Sequence, residues 1–314
     1  MEPVVAAAVQ ATPVFLDREA TVEKACDLIA KAAADGAGLV VFPEAFVPTY
    51  PDWVWRTTPW ADHGWFARLW DQSVEVPGAA TARLGEAARG AGAWVAMGVN
   101  ERDTASSTLY NSLVYLSPAG EVAGVHRKLM PTGGERLVWG MGDGSTLTVL
   151  DTVFGRLGGL LCWENYMPLA RAAMYAQGVD VYVAPTWDNS DVWVPTLRHI
   201  AKEGRMFVIG TNSCIRASDV PADLPGRDDH YGGADDWLSR GNTTIVGPNG
   251  EILAGPLVEE EGILLAQLDP ALTRAARQQF DPVGHYARPD VFHLDVDVRA
   301  KPAVTLDASG EAPS

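Results

Sequence analysis

The sequence predicts an α/β fold in which two mixed sheets pack together with helices outside. Three observations carry that expectation. Short apolar runs alternate with helical patterns over most of the chain, as they do in α/β architectures. Two pairs of such runs flank tight-turn sequences, Ser117-Pro118-Ala119-Gly120 and Gly247-Pro248-Asn249-Gly250, and read as hairpins that require antiparallel pairing. With 314 residues, 47% hydrophobic and 20% charged, the chain can bury a sizeable core between such layers.

Each element follows from local pattern. Val4–Ala11 is expected as a first strand, and Ala20–Ala34 as an amphipathic helix stopped at Gly36. Gly38–Phe46 returns as a buried strand whose Leu-Val-Val-Phe run is broken by Pro43. Ala79–Arg89 has the helical period and Ala93–Val99 reads as a strand; Leu109–Leu116 and Glu121–His126 form the first hairpin. Arg156–Leu161 is a strand followed by a helix from Pro168 to Gln177, with proline suited to its first turn and Gly178 to its C-terminal cap. Val179–Ala184 (strand), Trp193–Met206 (helix) and Phe207–Asn212 (strand) continue the alternation. Thr243–Val246 and Glu251–Ala254 make the second hairpin, Gly262–Asp269 a last core strand, and a polar helix follows Pro270. The Asp- and Gly-rich stretch Ala217–Arg240 is long for a loop, which marks it as functional or mobile. Residues 1–295 are expected to form one domain, with a tail from Val296 to Ser314.

Composition narrows the function classes. A formal charge of −16 argues against nucleic acid or an anionic membrane surface as partner. The N-terminal Val-Val-Ala-Ala-Ala-Val-Gln lacks the basic region of a signal peptide, and no uninterrupted apolar run is long enough to span a bilayer. Cys26, Cys162 and Cys214 are too few and too scattered for a disulfide framework or a zinc cluster, which fits a reducing cytoplasm.

Three motifs carry chemistry. In Val40-Val41-Phe42-Pro43-Glu44-Ala45-Phe46, Glu44 lies just past a very apolar strand, where desolvation raises a carboxyl pKa towards the range useful for proton transfer. In the segment from Val125 to Gly140, Lys128 and Glu135 follow a hairpin strand; an ammonium held there stabilises developing negative charge if water is excluded, whereas on a surface His126-Arg127-Lys128 is only a solvated basic cluster. In Gly158–Tyr175, Cys162 sits where an apolar strand turns into a helical pattern. A position near a helix N-terminus lowers a thiol pKa, although a free cysteine is more often a small buried hydrophobe. Cys26 and Cys214 fit that buried role. The glycines of Gly140–Gly144 lack the Lys-Ser/Thr of a phosphate loop.

Taken together, Glu44 in Phe-Pro-Glu-Ala-Phe, Lys128 in His-Arg-Lys-Leu-Met-Pro-Thr and Cys162 in Leu-Leu-Cys-Trp-Glu-Asn-Tyr-Met-Pro-Leu-Ala-Arg resemble the Glu-Lys-Cys triad of the nitrilase superfamily of carbon–nitrogen hydrolases, in its usual chain order. Cys162-Trp163-Glu164-Asn165, the Glu135-Arg136-Leu137-Val138-Trp139-Gly140 extension, Leu197–Val208 and Gly284–Phe292 look like the true nitrilase branch, so the resemblance runs from residue 4 to about 292. It implies a four-layer α-β-β-α sandwich that pairs into a homodimer and in some relatives grows into spiral oligomers. It further implies hydrolysis of a nitrile to the carboxylic acid and ammonia with no metal or organic cofactor. Cys162 would be the nucleophile, Glu44 the general base and acid, Lys128 the stabiliser of the intermediates, and Glu135 a group positioning Lys128 or substrate. Rival expectations within the superfamily are an amidase or carbamoyl hydrolase, and a cyanide hydratase or dihydratase. Tyr50, Trp163 and Trp187 are expected at the pocket as a wall for an aryl or arylalkyl nitrile, and most other tryptophans are expected in the core.

Overall fold

The alternation of strands and helices resolves into two sheets laid face to face. The computed structural model describes residues 1–302 and 304. Its strands are β1 (Val4–Gln10), β2 (Leu39–Val41), β3 (Trp94–Arg102), β4 (Leu109–Leu116), β5 (Val122–Arg127), β6 (Val149–Thr152), β7 (Gly155–Gly159), β8 (Val181–Val183), β9 (Phe207–Gly210), β10 (Cys214–Arg216), β11 (Trp237–Val246), β12 (Ile252–Val258) and β13 (Gly262–Leu268). The helices are α1 (Arg18–Ala34), α2 (His63–Gln72), α3 (Ala79–Ala91), α4 (Pro168–Ala176), α5 (Trp193–Gly204), α6 (Arg227–His230) and α7 (Pro270–Gln279). One sheet runs β13-β1-β2-β3-β4-β5; the other runs β10-β11-β9-β8-β7-β6, with β12 also paired to β11. Each has a parallel centre, β1-β2-β3 and β7-β8-β9, and antiparallel flanks, so both are mixed.

The period of two along each strand decides what it covers. Ala6, Ala8, Leu39, Val41 and Ala96 of one sheet meet Leu157, Val181, Val183, Phe207 and Ile209 of the other in the central layer. Their neighbours Ala7, Val9, Val40, Val95 and Met97 point outward to pack beneath α1 and α3. On the far face Tyr182 and Val208 pack under Met174 of α4 and Leu197 of α5. The result is α-β-β-α. Asp17 fixes the start of α1 by accepting from the Ala20 amide at 3.0 Å, a side-chain N-cap.

Several local expectations are corrected. The strand expected over Gly38–Phe46 is confined to Leu39–Val41, because the chain turns at Pro43 to deliver Glu44. The Ala217–Arg240 stretch is neither a free loop nor strandless. It holds α6 and the start of β11, and it buries Val220, Leu224 and Tyr231 in an aromatic cluster with Trp53, Trp65 and Trp139. The tail expected from Val296 is described to Pro302 and at Val304, and is exposed there; positions 303 and 305–314 lie outside the described residues.

One glycine sets the position of Glu44. A Cβ on Gly98 of β3 would fall 2.1 Å from the Pro43 carbonyl oxygen, 2.6 Å from the Ala45 amide and 2.9 Å from the Glu44 Cα. All three are backbone atoms of one tight turn, and Ala45 already holds a positive φ of 48°. Gly98→Ala is therefore expected to cost at least about 1–3 kcal/mol by overpacking. It should also shift the backbone that carries Glu44; urea denaturation checks the loss of stability.

Candidate active site

The site lies where strands from both sheets end on the same edge of the sandwich. Glu44 follows β2 and Lys128 follows β5, both in the first sheet, whereas Cys162 follows β7 of the second. This is the edge beyond the carboxyl ends of the parallel strands, where α/β sheets place their ligand sites.

Lys128 is wholly buried, and so is His126, two residues before it. The basic cluster is thus not a solvated face: the strand's alternation turns His126 and Lys128 inward and leaves Arg127 to pair with Glu101 at 2.6 Å. The Lys128 Nζ donates to Glu44 Oε1 at 2.8 Å and to Glu135 Oε2 at 2.7 Å, with the Trp139 ring 5.8 Å away. Glu135 also accepts from the Thr132 amide at 2.6 Å and, through Oε1, from the Tyr50 hydroxyl at 2.7 Å. The Trp55 indole donates in turn to the Tyr50 oxygen at 3.0 Å. Glu44 Oε1 takes a second bond, from Asn111 Nδ2 at 2.7 Å, while Oε2 is buried with no hydrogen-bond partner.

Cys162 opens a 3-10 turn, Cys162–Tyr166, with a φ of 51°. For a non-glycine residue that left-handed backbone costs of order 1–3 kcal/mol and persists only where its surroundings fix it. Here the Cys162 amide donates to the Pro185 carbonyl at 2.8 Å, and its own carbonyl accepts from Asn165 Nδ2 at 2.8 Å. The thiol is buried and receives the Thr186 hydroxyl at 3.2 Å. A carboxylate oxygen of Glu44, one of Glu135 and the Cys162 Sγ all lie within 4.8 Å of one another. The ammonium of Lys128 already supplies the positive charge between the two carboxylates.

The electrostatics correct one expectation. Cys162 does not head an α-helix, since α4 begins only at Pro168. Its thiol pKa is raised, not lowered: burial pushes it up, Glu44 and Glu135 add to the rise, and Lys128 only partly opposes them. Cys162 therefore rests as a thiol and would need a base to act as a nucleophile. Burial likewise raises the carboxyl of Glu44, against the pull of Lys128. Burial works against the Lys128 ammonium, but the carboxylates of Glu44 and Glu135 outweigh it and keep it charged.

A cavity of about 520 Å³ opens onto Cys162 and Glu135. Tyr50, Trp55, Trp163 and Trp187 line it, with Asp188 and Asn189 at its polar side. Tyr50 and Trp187 are stacked, centroids 4.4 Å apart and planes within 6°. Trp163 is half-exposed and anchored by its indole to Asp188 at 2.8 Å. Trp53 and Trp65 are core residues, whereas Trp60 is exposed.

Five of the seven residues expected at the site, Tyr50, Glu135, Cys162, Trp163 and Trp187, line this cavity, and Glu44 and Lys128 lie beside them in the buried cluster. Sequence reasoning missed Asn111, Thr186 and Trp55, whose contacts depend on distant elements, and it assigned no role to His126 or Glu164. The period of two through His126 and Lys128 was the available signal for the former.

Comparison with known proteins agrees with this geometry. A family model described as carbon-nitrogen hydrolase matches residues 5–278. The chain is 47% identical over 309 residues to an aliphatic nitrilase of Sinorhizobium fredii (strain HH103), covering 96% of this chain and 98% of that one. It is 42% identical over 313 residues to nitrilase 2 of Arabidopsis thaliana, covering 95% and 90%. Among solved structures, Saccharomyces cerevisiae Nit3, a member of branch 10 of the nitrilase superfamily, matches with a TM-score of 0.72 at 21% identity, over 91% of this chain and 97% of that one; this likeness concerns the fold alone.

Proposed function

The chain belongs to the carbon–nitrogen hydrolase family, and on that premise we propose that it is a nitrilase, converting a nitrile and two waters to a carboxylic acid and ammonia. The observation that carries this reading is the buried Glu44–Lys128–Glu135 cluster set beside the Cys162 thiol, which opens onto an aromatic-walled cavity. Its nearly full-length likeness to proteins named nitrilases supports nitriles over amides.

Glu44 takes the thiol proton on its unpartnered Oε2 as Sγ attacks the nitrile carbon. The proton passes to the nitrile nitrogen, giving a neutral thioimidate, and Lys128 stabilises the charge that develops on that nitrogen. Water then adds to the thioimidate carbon, giving up a proton to Glu44, which returns it to the nitrogen; with the hydroxyl proton also transferred, the tetrahedral species expels that nitrogen as ammonia to leave a thioester and an ionised Glu44. A second water releases the acid and restores the thiol. Expulsion of the thiol instead of ammonia would yield the amide. Glu135 keeps the lysine between the two carboxylates, its orientation set by Tyr50 and the Thr132 amide.

No step calls on a group beyond these side chains. The flat Tyr50–Trp187 pair and Trp55 favour an apolar, aryl or arylalkyl nitrile; the Sinorhizobium relative, named for aliphatic nitriles, defines the competing class. Pairing of two copies fits the exposed Tyr166, Leu169 and Val192 around α4 and α5. Among the described residues no helix is long and apolar enough to cross a membrane, and a cytoplasmic site of action fits the three unpaired cysteines.

Ammonia release from matched aliphatic, aryl and arylacetonitriles and from their amides tests the reading. Turnover of nitriles with kcat/KM above that of the matching amides is expected. Turnover of amides alone would overturn the nitrile assignment, and reaction of only short aliphatic nitriles or cyanide would overturn the aryl preference.

A further inference from the structure

The catalytic groups hang from different sheets, so something must hold the sheets in register at the site. Apolar packing in the central layer is non-directional and does not fix a distance to within a few tenths of an ångström. Glu164, two residues after the nucleophile, makes directional contacts across the gap. Its Oε1 accepts from the amide of Leu129, the residue after Lys128, at 2.5 Å. Its Oε2 accepts from the amide of Leu161, the residue before Cys162, at 2.7 Å, and meets His126 Nε2 at 2.9 Å. His126 in turn lies two residues before Lys128. One carboxylate thus ties the backbone beside the lysine to the backbone beside the cysteine, and both Glu164 and His126 are wholly shielded from solvent.

The proton count explains why that carboxylate is tolerated so close to two others. His126 Nδ1 faces the Thr146 carbonyl at 2.9 Å, and a carbonyl only accepts, so Nδ1 bears hydrogen. Nε2 faces Oε2, and one further proton must lie between them. His126 and Glu164 are therefore neutral as a pair and leave the charge balance around Cys162 to Glu44, Lys128 and Glu135. The neighbouring titratable groups, Tyr115 and Tyr182, are held in their neutral form by burial.

We propose that Glu164, balanced by His126, is a positioning residue that sets the separation of Lys128 and Glu44 from Cys162 by clamping the two sheets together at the site. The proposal rests on the nitrilase reading for what that separation serves, but its geometry does not depend on it.

Glu164→Gln tests the clamp. The amide keeps the shape but presents one acceptor oxygen where two backbone N–H groups need acceptors, and its own N–H₂ meets a donor. A misplacement of about 1 Å costs roughly 100-fold in rate, so kcat per folded active site is expected to fall about 100-fold with KM changed less than about threefold. The second readout needs no nitrile: the pH dependence of Cys162 alkylation by iodoacetamide, followed by mass spectrometry. In the unsubstituted protein Glu44 takes the thiol proton, so alkylation should persist through neutral pH. In Glu164→Gln it should fall away at neutral pH and rise only above about pH 8.5, the ordinary thiol value, because the thiol stays buried without its base.

An unchanged alkylation profile, or a fall in kcat explained by the unfolded fraction alone, would overturn the clamp. If Glu164→Gln does not accumulate folded, His126→Gln keeps both backbone bonds but removes the charge balance. It should then lower kcat at least about tenfold at constant KM, a loss of the size of one charge-assisted hydrogen bond, and unchanged kcat would overturn the proposal. Normal alkylation shifts with no nitrile turnover in any protein would sink the nitrilase reading and leave the clamp standing.

Discussion

Cys162→Ala is expected to release no measurable ammonia from any nitrile, while folding as well as the unsubstituted protein. Loss of the nucleophile removes covalent catalysis altogether, a penalty on the order of 10⁶ in kcat when a serine protease loses its nucleophile. Stability should hardly change. Alanine meets the φ of 51° with no more strain than cysteine, the backbone bonds to Pro185 and Asn165 remain, and the only side-chain bond lost is the weak one from Thr186 to sulfur. Mass spectrometry of the intact protein mixed with a slow nitrile should find a covalent adduct on the unsubstituted chain and none on the variant. Ammonia release by Cys162→Ala near the normal rate would remove Cys162 from the role of nucleophile.

Lys128→Met should lose both activity and stability. The methionine fills most of the lysine's volume, but the two buried carboxylates of Glu44 and Glu135 are left without the cation between them. Breaking a buried ion pair by removing one partner costs about 3–5 kcal/mol, and loss of one charge-stabilising donor in a closed site costs about 100- to 1,000-fold in kcat.

The pH dependence has a definite sign. Glu44 is already raised above its ordinary value of 4.5, by burial first and then by Glu135, with Lys128 holding it down. Without the lysine it rises further. A carboxyl with a raised folded pKa is accommodated when protonated, and its contribution is lost as pH climbs from near the ordinary value through the folded one. The stability gap between Lys128→Met and the unsubstituted protein should therefore be small near about pH 4.5 and widen towards neutrality. Thermal unfolding across that range measures it, and a gap that narrows with rising pH would contradict the assigned electrostatics.

Much of this was legible in the chain itself, because the features concerned are local. The two-residue period of β1 and β2 sorted their side chains between faces, Pro43 stopped its strand, and Pro168 and Gly178 framed α4. The resemblance drawn from the order of Glu44, Lys128 and Cys162 pointed to three residues that the fold gathers in one buried cluster. What escaped was set by distance in space. The Trp-rich stretch around α2 hid its helical period because Trp53 and Trp65 are recruited to a cluster completed by Tyr231, far along the chain. The thiol pKa was misjudged in direction: the local pattern suggested a favourable helix end, but burial and two carboxylates brought from other elements dominate. Glu164 looked like part of a motif, and only the first sheet's approach reveals its partners His126 and Leu129.

The placement of the triad on two sheets has a consequence for how the protein tolerates change. The gap between sulfur and ammonium also depends, coarsely, on the hydrophobic layer between the sheets, in which small side chains, Ala6, Ala8 and Ala96, share a cluster with large ones such as Phe207 and Ile209. Enlarging one of those alanines wedges the layers apart with no contact to substrate. A mutational screen scored by turnover would then discard well-folded chains altered far from the cavity, and a screen scored by yield would keep them. Read side by side, the two maps would measure the spacing of the sandwich, with the reaction itself as the caliper.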